Sequence, residues 1–396
     1  MKVRVLAYLG IFCFFALSAT GCVSSAAQQG YSGVVPHDGI LYLGSMDGKI
    51  VAANASDRSQ ALPFPSANGE WSFAITVPSE GLSCGSSSKP DTIYATPLVV
   101  NGSVCIGTYG GKVLMLSPTA RNQDLPFPHL RSGEWIYPRT EDVIGPIVGS
   151  PVVVKDAVYF GSSDGKVYAL DTAYGDEKWI SAPLDDKLWT TPIVKDEAIY
   201  MSTFDGRICA LSTEDGSQLS WVFEAETGFV SSPVLYEDIL FVGSFDRKLY
   251  AIRIGDNEPL WEFLGGNWFW AAPLVKDDIV YAGCLDGKVY ALDTAKGNEL
   301  WEFDTEDRIV SSPILAGNSL VVATEGGNVF LINPKTGSGE RIANPDDSEN
   351  GRSLVDARIQ SALCVVDGIV YIRAQDNCLY AVDVAKRQVE LKFPLA

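Results

Sequence analysis

Histidine is nearly absent from this chain: its 396 residues contain two, His37 and His129. His-assisted catalysis and His-rich metal sites therefore have almost no material to work with. Basic residues are also scarce, 30 against 49 acidic ones, for a formal net charge of −19. A nucleic-acid surface is repelled by such a field, so DNA and RNA are excluded as partners. No two cysteines are adjacent and no C-x-x-C spacing occurs. No P-loop, G-x-G-x-x-G, H-E-x-x-H or EF-hand spacing is present either. No apolar run reaches the roughly 20 residues of a membrane-spanning helix, and no segment carries a 3.6-residue period.

What is present is an apolar share of 46%, aromatics at 11% and 37 glycines. That is the mix of a globular protein with a real core, many short strands and tight turns. The chain opens with Lys2 and Arg4, a 15-residue apolar run (5–19) and Thr20-Gly21-Cys22. A basic start, an apolar stretch and small residues before a cut site describe an export signal over 1–21. The segment ALSATGC resembles a bacterial lipobox, in which the cysteine, here Cys22, is lipidated and becomes the new N-terminus; Ala19 stands where Leu is usual. Residues 22–32 are small and polar, suited to a flexible tether. Loss of 1–21 removes two basic residues and no acidic one. Anionic headgroups do not attract such a surface, so the expected membrane link is the covalent anchor.

Six cysteines remain after Cys13 and Cys22: Cys84, Cys105, Cys209, Cys284, Cys364 and Cys378. Most lie in strand-like apolar runs and are expected as small buried hydrophobes, with disulfide pairing as the alternative.

One hairpin recurs throughout. Its clearest copy is PVVVKDAVYFGSSDGKVYALD (151–171), centred on Asp164-Gly165, which is expected as a two-residue type I′ turn. Equivalent positions are Asp47, Gly110, Asp205, Asp246, Asp286, Gly326 and Asp376, giving eight copies with a basic period of 40–41 residues. A proline (Pro97, Pro151, Pro192, Pro233, Pro273, Pro313) opens the strand before six of these hairpins, a position that tolerates its missing N–H. A tryptophan (Trp71, Trp135, Trp179, Trp221, Trp261, Trp301) sits in a short strand after the first six. Four antiparallel strands per ~40 residues is the arithmetic of a propeller blade. The expected fold is all-β: an eight-bladed β-propeller of four-stranded antiparallel blades over 33–396, with VELKF (389–393) completing the last blade or pairing beside the first.

The loops ALDTAYGDEKW (169–179) and ALDTAKGNELW (291–301) resemble the tryptophan-docking motif of the pyrroloquinoline quinone (PQQ) repeat propellers. The resemblance implies that each tryptophan clamps neighbouring blades. The seventh unit has Arg341-Ile342 at that place and the eighth Leu391, so their junctions are expected to be the weakest seams.

PQQ-dependent dehydrogenases of this family carry a vicinal Cys-Cys disulfide, calcium ligands and an Asp base. The chain has no Cys-Cys, and none of its residues matches the others, so no catalytic, cofactor-binding or metal-binding residue is assigned. The turn aspartates are expected as solvated carboxylates. Gly161-Ser162-Ser163-Asp164-Gly165 matches the nucleophile-elbow pattern but lacks its strand–turn–helix setting. A binding face is expected at the channel mouth, three residues before each proline: Tyr94, Trp189 and Trp270, alternating with valines, and Ile359 in the eighth unit. Phe229, Trp268 and Phe269 adjoin it, and GGNWFWAAP (265–273) is the most aromatic stretch, whose three rings are expected either as binding anchors or as filling between blades 5 and 6.

Size and layout are most similar to the BamB family of outer-membrane protein assembly factors. The resemblance implies a non-catalytic, lipid-anchored, extracytoplasmic scaffold that binds other envelope proteins as a monomer within a complex. The anchor is expected in the outer membrane where the host has one, otherwise in the cell membrane. The alternatives are a small PQQ-dependent oxidoreductase and a solute- or glycan-binding propeller.

Overall fold

A computed structural model describes residues 32–45, 47–54, 69–78, 88–119, 133–139, 144–344 and 353–395. The export signal, Cys22, nearly all of the tether, Cys84, His129 and the segment 345–350 lie outside the described residues.

The described chain forms eight four-stranded antiparallel sheets, each a simple meander of consecutive strands. They span 34–74, 98–137, 152–180, 193–224, 234–264, 274–304, 314–341 and 364–394, and are numbered here as blades 1 to 8. In blade 6 the strands are Leu274–Lys276, Ile279–Gly283, Lys288–Asp293 and Glu299–Asp304. A two-stranded piece, Thr76–Pro78 with Ser88–Pro90, is inserted between blades 1 and 2. First strands of neighbouring blades approach one another, and that of blade 8 approaches those of blades 7 and 1. The ring is therefore closed by packing. Gln388–Pro394 is the outer strand of blade 8, paired along Cys378–Asp383, so neither chain end completes the other's sheet.

Hydrophobic burial is divided into eight clusters, each shared by two adjacent blades. Side chains along a strand alternate faces. In the second strand of blade 6, Val280 and Ala282 pack toward blade 5 while Tyr281 packs toward blade 7. Both faces are covered, which is why the middle strands read as continuous apolar runs.

Six tryptophans bind each blade to the next. Trp261 of blade 5 donates its Nε1–H to the Thr294 carbonyl of blade 6 at 2.9 Å, and Trp301 of blade 6 does the same to Pro334 of blade 7 at 3.0 Å. Trp71, Trp135, Trp179 and Trp221 repeat the bond across the four earlier junctions. Each acceptor lies in the loop before the outer strand. At four junctions the ring also lies on a glycine of that loop: Gly175, Gly216, Gly297 and Gly337 have no room for a Cβ against Trp135, Trp179, Trp261 and Trp301. At blade 7, Ile342 is buried in the cluster shared with blade 8, and Leu391 is buried in the cluster that closes blade 8 on blade 1.

A second device runs through residues just ahead of the first strands of blades 1 to 5. The Gly33 amide donates to Thr96 Oγ1, Thr96 to Ser150 Oγ, Ser150 to Thr191 Oγ1 and Thr191 to Ser232 Oγ, at 3.0–3.2 Å. Ala272 and Ala362 stand at the matching places in blades 6 and 8, so their side chains cannot take up this role.

The turn at Asp164-Gly165 differs from expectation. The Gly165 amide bonds to the Ser162 carbonyl, Ser162 to the Lys166 carbonyl, and only Gly165 has positive φ. That is a four-residue turn followed by a glycine bulge, not type I′. The type I′ turns join first and second strands: Asp38-Gly39, Asn101-Gly102, Asp277-Asp278 and Asp367-Gly368 each have both residues at positive φ.

The turn aspartates are also more than solvated tips. Asp164, Asp246, Asp286 and Asp376 accept from the amide two residues on and from the hydroxyl of a tyrosine four residues on, the latter at 2.5–2.7 Å. Where glycine replaces the aspartate, at Gly110 and Gly326, the preceding linker supplies a carboxylate. Asp91 and Asp307 accept those two turn amides at 2.7 Å. Cys105, Cys209, Cys284, Cys364 and Cys378 are free and buried.

Candidate binding face

Each blade is four antiparallel strands, so the chain enters and leaves it on the same face of the ring. The turns between second and third strands share one face with the linkers that lead into each blade. A periodic backbone bond joins them: Tyr109, Ser163, Phe204, Phe245, Leu285, Glu325 and Gln375 of the turns donate to linker carbonyls of Thr92, Pro146, Lys187, Gly228, Trp268, Arg308 and Arg358. This bond fixes the register of the linker. Residues four before the proline turn inward and are buried, as are Ile93, Ile147, Leu188 and Ile309. Residues three before it turn outward to the face.

The expected site residues divide along that register. Phe229 and Phe269 are one position too early for the face. Phe229 is 2% exposed and packs on Phe223 and Tyr250, and Phe269 is fully buried against Phe263 and Tyr290. Both are core, because a one-residue step in an extended chain sends the side chain to the opposite side. Ile359 is likewise buried, and Gln360 takes the outward place in blade 8. Tyr94 and Trp189 are half-buried on the face, as is Trp268, and Trp270 is 43% exposed. The aromatic stretch 265–273 is thus split, with Phe269 filling the seam and both tryptophans left outside it.

The structure adds rings that sequence reading missed. Phe204 and Phe245 occupy the turn position before the aspartate, visible in the sequence as T-F-D-G and S-F-D-R. Trp189 meets Phe204 with ring centroids 5.0 Å apart, Phe204 meets Phe245 at 5.2 Å, and Phe245 meets Trp268 at 5.2 Å. A continuous aromatic arc therefore crosses blades 4 and 5 and their flanking linkers. Tyr94 and Tyr109 form an isolated version in blade 2, at 5.2 Å. Trp189 Nε1–H donates to Ser163 Oγ at 2.8 Å, and that hydroxyl donates to the Pro146 carbonyl at 2.8 Å. Ser163 of the nucleophile-elbow pattern thus tethers two linkers.

The opposite sector of this face is polar. Gln375 donates to Gln360, and Gln360 to Glu325, which lies 3.6 Å from Arg358. Electrostatics differ accordingly between blades 7–8 and blades 4–6.

The described residues do not fit a calcium-bound quinone. They contain no group of three or more His, Cys, Asp or Glu placed to share a metal ion. Asp91 Oδ1 accepts the Gly110 amide while its Oδ2 is buried without a hydrogen-bond partner, and burial pushes the carboxyl up from its ordinary value. A pocket of about 180 Å³ lies at the junction of blades 8 and 1, between the Asp38-Gly39 turn and Tyr371. It is smaller than the ~300–1,000 Å³ of typical small-molecule sites.

Two of the many solved structures of similar architecture illustrate the likeness. One is BamB from Moraxella catarrhalis, with a TM-score of 0.63 and 18% identity over 88% of this chain and 92% of that one. The other is the computationally designed Ika8 protein, with a TM-score of 0.62 and 16% identity over 89% of this chain and 95% of that one. At these identities they show the fold alone. A search of curated protein sequences finds no match. The family model described as outer membrane protein assembly factor BamB matches residues 85–181, 140–235 and 218–393. With most of its length matched, the chain belongs to the BamB family of PQQ-like repeat propellers.

Proposed function

We propose that the protein is a non-catalytic docking scaffold of the bacterial envelope, tethered through Cys22 and serving outer-membrane protein assembly. The observation that carries this reading is the family match across the ring, joined to a rigid face whose exposed groups are aromatic rings and held carboxylates. Clamped blades keep such a face in one shape, which limits the ordering cost of binding a partner. The chemistry of the face suits recognition by burial of rings, the usual content of a protein-binding hot spot. In this reading residues 1–21 are an export signal, Cys22 carries the lipid, and the ring works outside the cytoplasm, anchored in the outer membrane where the host has one and otherwise in the cell membrane.

The test uses the full chain in its host. After crosslinking in intact cells, the anchored protein is purified and its adducts identified. The expected result is recovery of an outer-membrane assembly component, with loss of membrane association in Cys22→Ser. Recovery of no envelope protein, or a dye-linked alcohol oxidation activity on addition of PQQ and calcium, contradicts the reading.

A further inference from the structure

Exposed apolar surface is unevenly distributed around the ring. Among the described residues, the exposed large hydrophobic side chains lie between Tyr174 and Leu300, in blades 3 to 6. Three belong on or beside the turn face: Ile180 and Leu264 end outer strands where the chain enters a linker, and Trp270 is in the linker into blade 6. Leu264 is 61% exposed and shares this sector with Trp270, and it is the grouping of apolar side chains rather than any single one that marks an interaction surface. The arc from Trp189 to Trp268 lies in the same sector.

Charge selects among occupants. A net charge of −19 opposes a second copy of this chain and an anionic bilayer alike. Within the sector, Arg207 is held by Asp185 and Asp205, and Lys248 by Glu262. Among the described residues Asp186, Glu224 and Glu226 form no ion pair, and Glu226 lies in the field of Lys248. Lys187 places its ammonium 5.5 Å from the centre of the Trp189 ring, so the arc already holds one cation of its own.

Resting on the scaffold reading above, we propose that the turn face of blades 3 to 6 receives an extended polypeptide segment with apolar or aromatic anchors flanked by lysine or arginine. The anchors cover Trp270, Leu264 and the arc, and the cations meet Glu224, Glu226 and Asp186. Blades 7 and 8 present the satisfied Glu325, Gln360 and Gln375 chain and take no part.

The probe is a fluorescein-labelled nonapeptide with lysine at odd positions and leucine or phenylalanine at even ones, followed by anisotropy against the purified full chain. Two controls replace lysine by glutamate, or the apolar residues by serine. The lysine–apolar peptide is expected to bind and both controls to bind at least about tenfold more weakly, the scale of a lost hot spot. Trp270→Ser and Glu226→Lys, both at exposed positions, are expected to weaken binding without altering the melting temperature, and Tyr174→Ser to leave it unchanged. Equal binding of the glutamate peptide, preference for phosphatidylglycerol vesicles, or unchanged affinity in both variants overturns the proposal. If that happens while wild type still captures an envelope partner in cells, the scaffold reading stands and this site falls. If wild type captures none, the scaffold reading falls whatever the peptides do.

Discussion

Replacing Trp261 and Gly297, singly and together, separates the two halves of one blade clamp. Trp261 is 8% exposed and carries both a buried ring and a hydrogen bond to the Thr294 carbonyl. Trp261→Ala is expected to cost about 3–5 kcal/mol, of which the hydrogen bond accounts for about 1. Gly297 has φ +68, and a Cβ there would sit 2.5 Å from Trp261 Cδ2. Gly297→Ala therefore carries a left-handed backbone cost of about 1–2 kcal/mol plus about 1–3 kcal/mol of overpacking against the indole. In the double variant the indole is gone, so only the backbone part of the glycine change remains. The double variant should then be less destabilised than the sum of the singles by about 1–3 kcal/mol. Urea unfolding followed by far-UV circular dichroism measures all four corners. Additivity within about 0.5 kcal/mol refutes the stacking of Trp261 on Gly297.

Three further outcomes follow from the same geometry. Tyr290→Phe removes the hydroxyl bond to Asp286 and should lower stability by about 1 kcal/mol in the same urea assay. Burial raises the Asp47 and Asp376 carboxyls, but bonds from Lys49 and Ser45, and from Tyr380, Cys378 and Lys392, outweigh it and hold both below the usual 3.8. Their contribution is present above about pH 4 and lost as pH falls through the lower folded values, so melting temperature should fall below pH 4, less steeply in Asp47→Asn and Asp376→Asn. Burial pushes the Cys105 and Cys284 thiols up to about 12, so a thiol reagent at pH 8 should modify these two only in denaturant, and reductant should leave the melting temperature unchanged.

Blade number and strand order were legible in the sequence because period-40 spacing and the Pro and Trp landmarks repeat in register. The tryptophans were legible too, since one per blade is a structural frequency. The face was only half legible. Spacing from the proline located Tyr94, Trp189 and Trp270 but not the inward turn of Phe229 and Phe269, which depends on the backbone bond between linker and turn. Phe204 and Phe245 were overlooked because a hairpin tip reads as a turn signal, and their neighbours across blades are 41 residues away. The turn type at Asp164-Gly165 was misread because Asp-Gly serves both a type I′ turn and a turn with a glycine bulge. The bond from the Gly165 amide and the negative φ of Asp164 tell them apart.

The account stands most directly on what touches the aromatic sector in a living cell. A photo-crosslinking amino acid placed at Trp270 in the full-length, anchored chain, with a second at Lys335 on blade 7 as control, reports this in one experiment. The expected result is an adduct with an outer-membrane assembly protein from position 270 and none from 335. No adduct at 270, or the same adduct from both positions, contradicts the account.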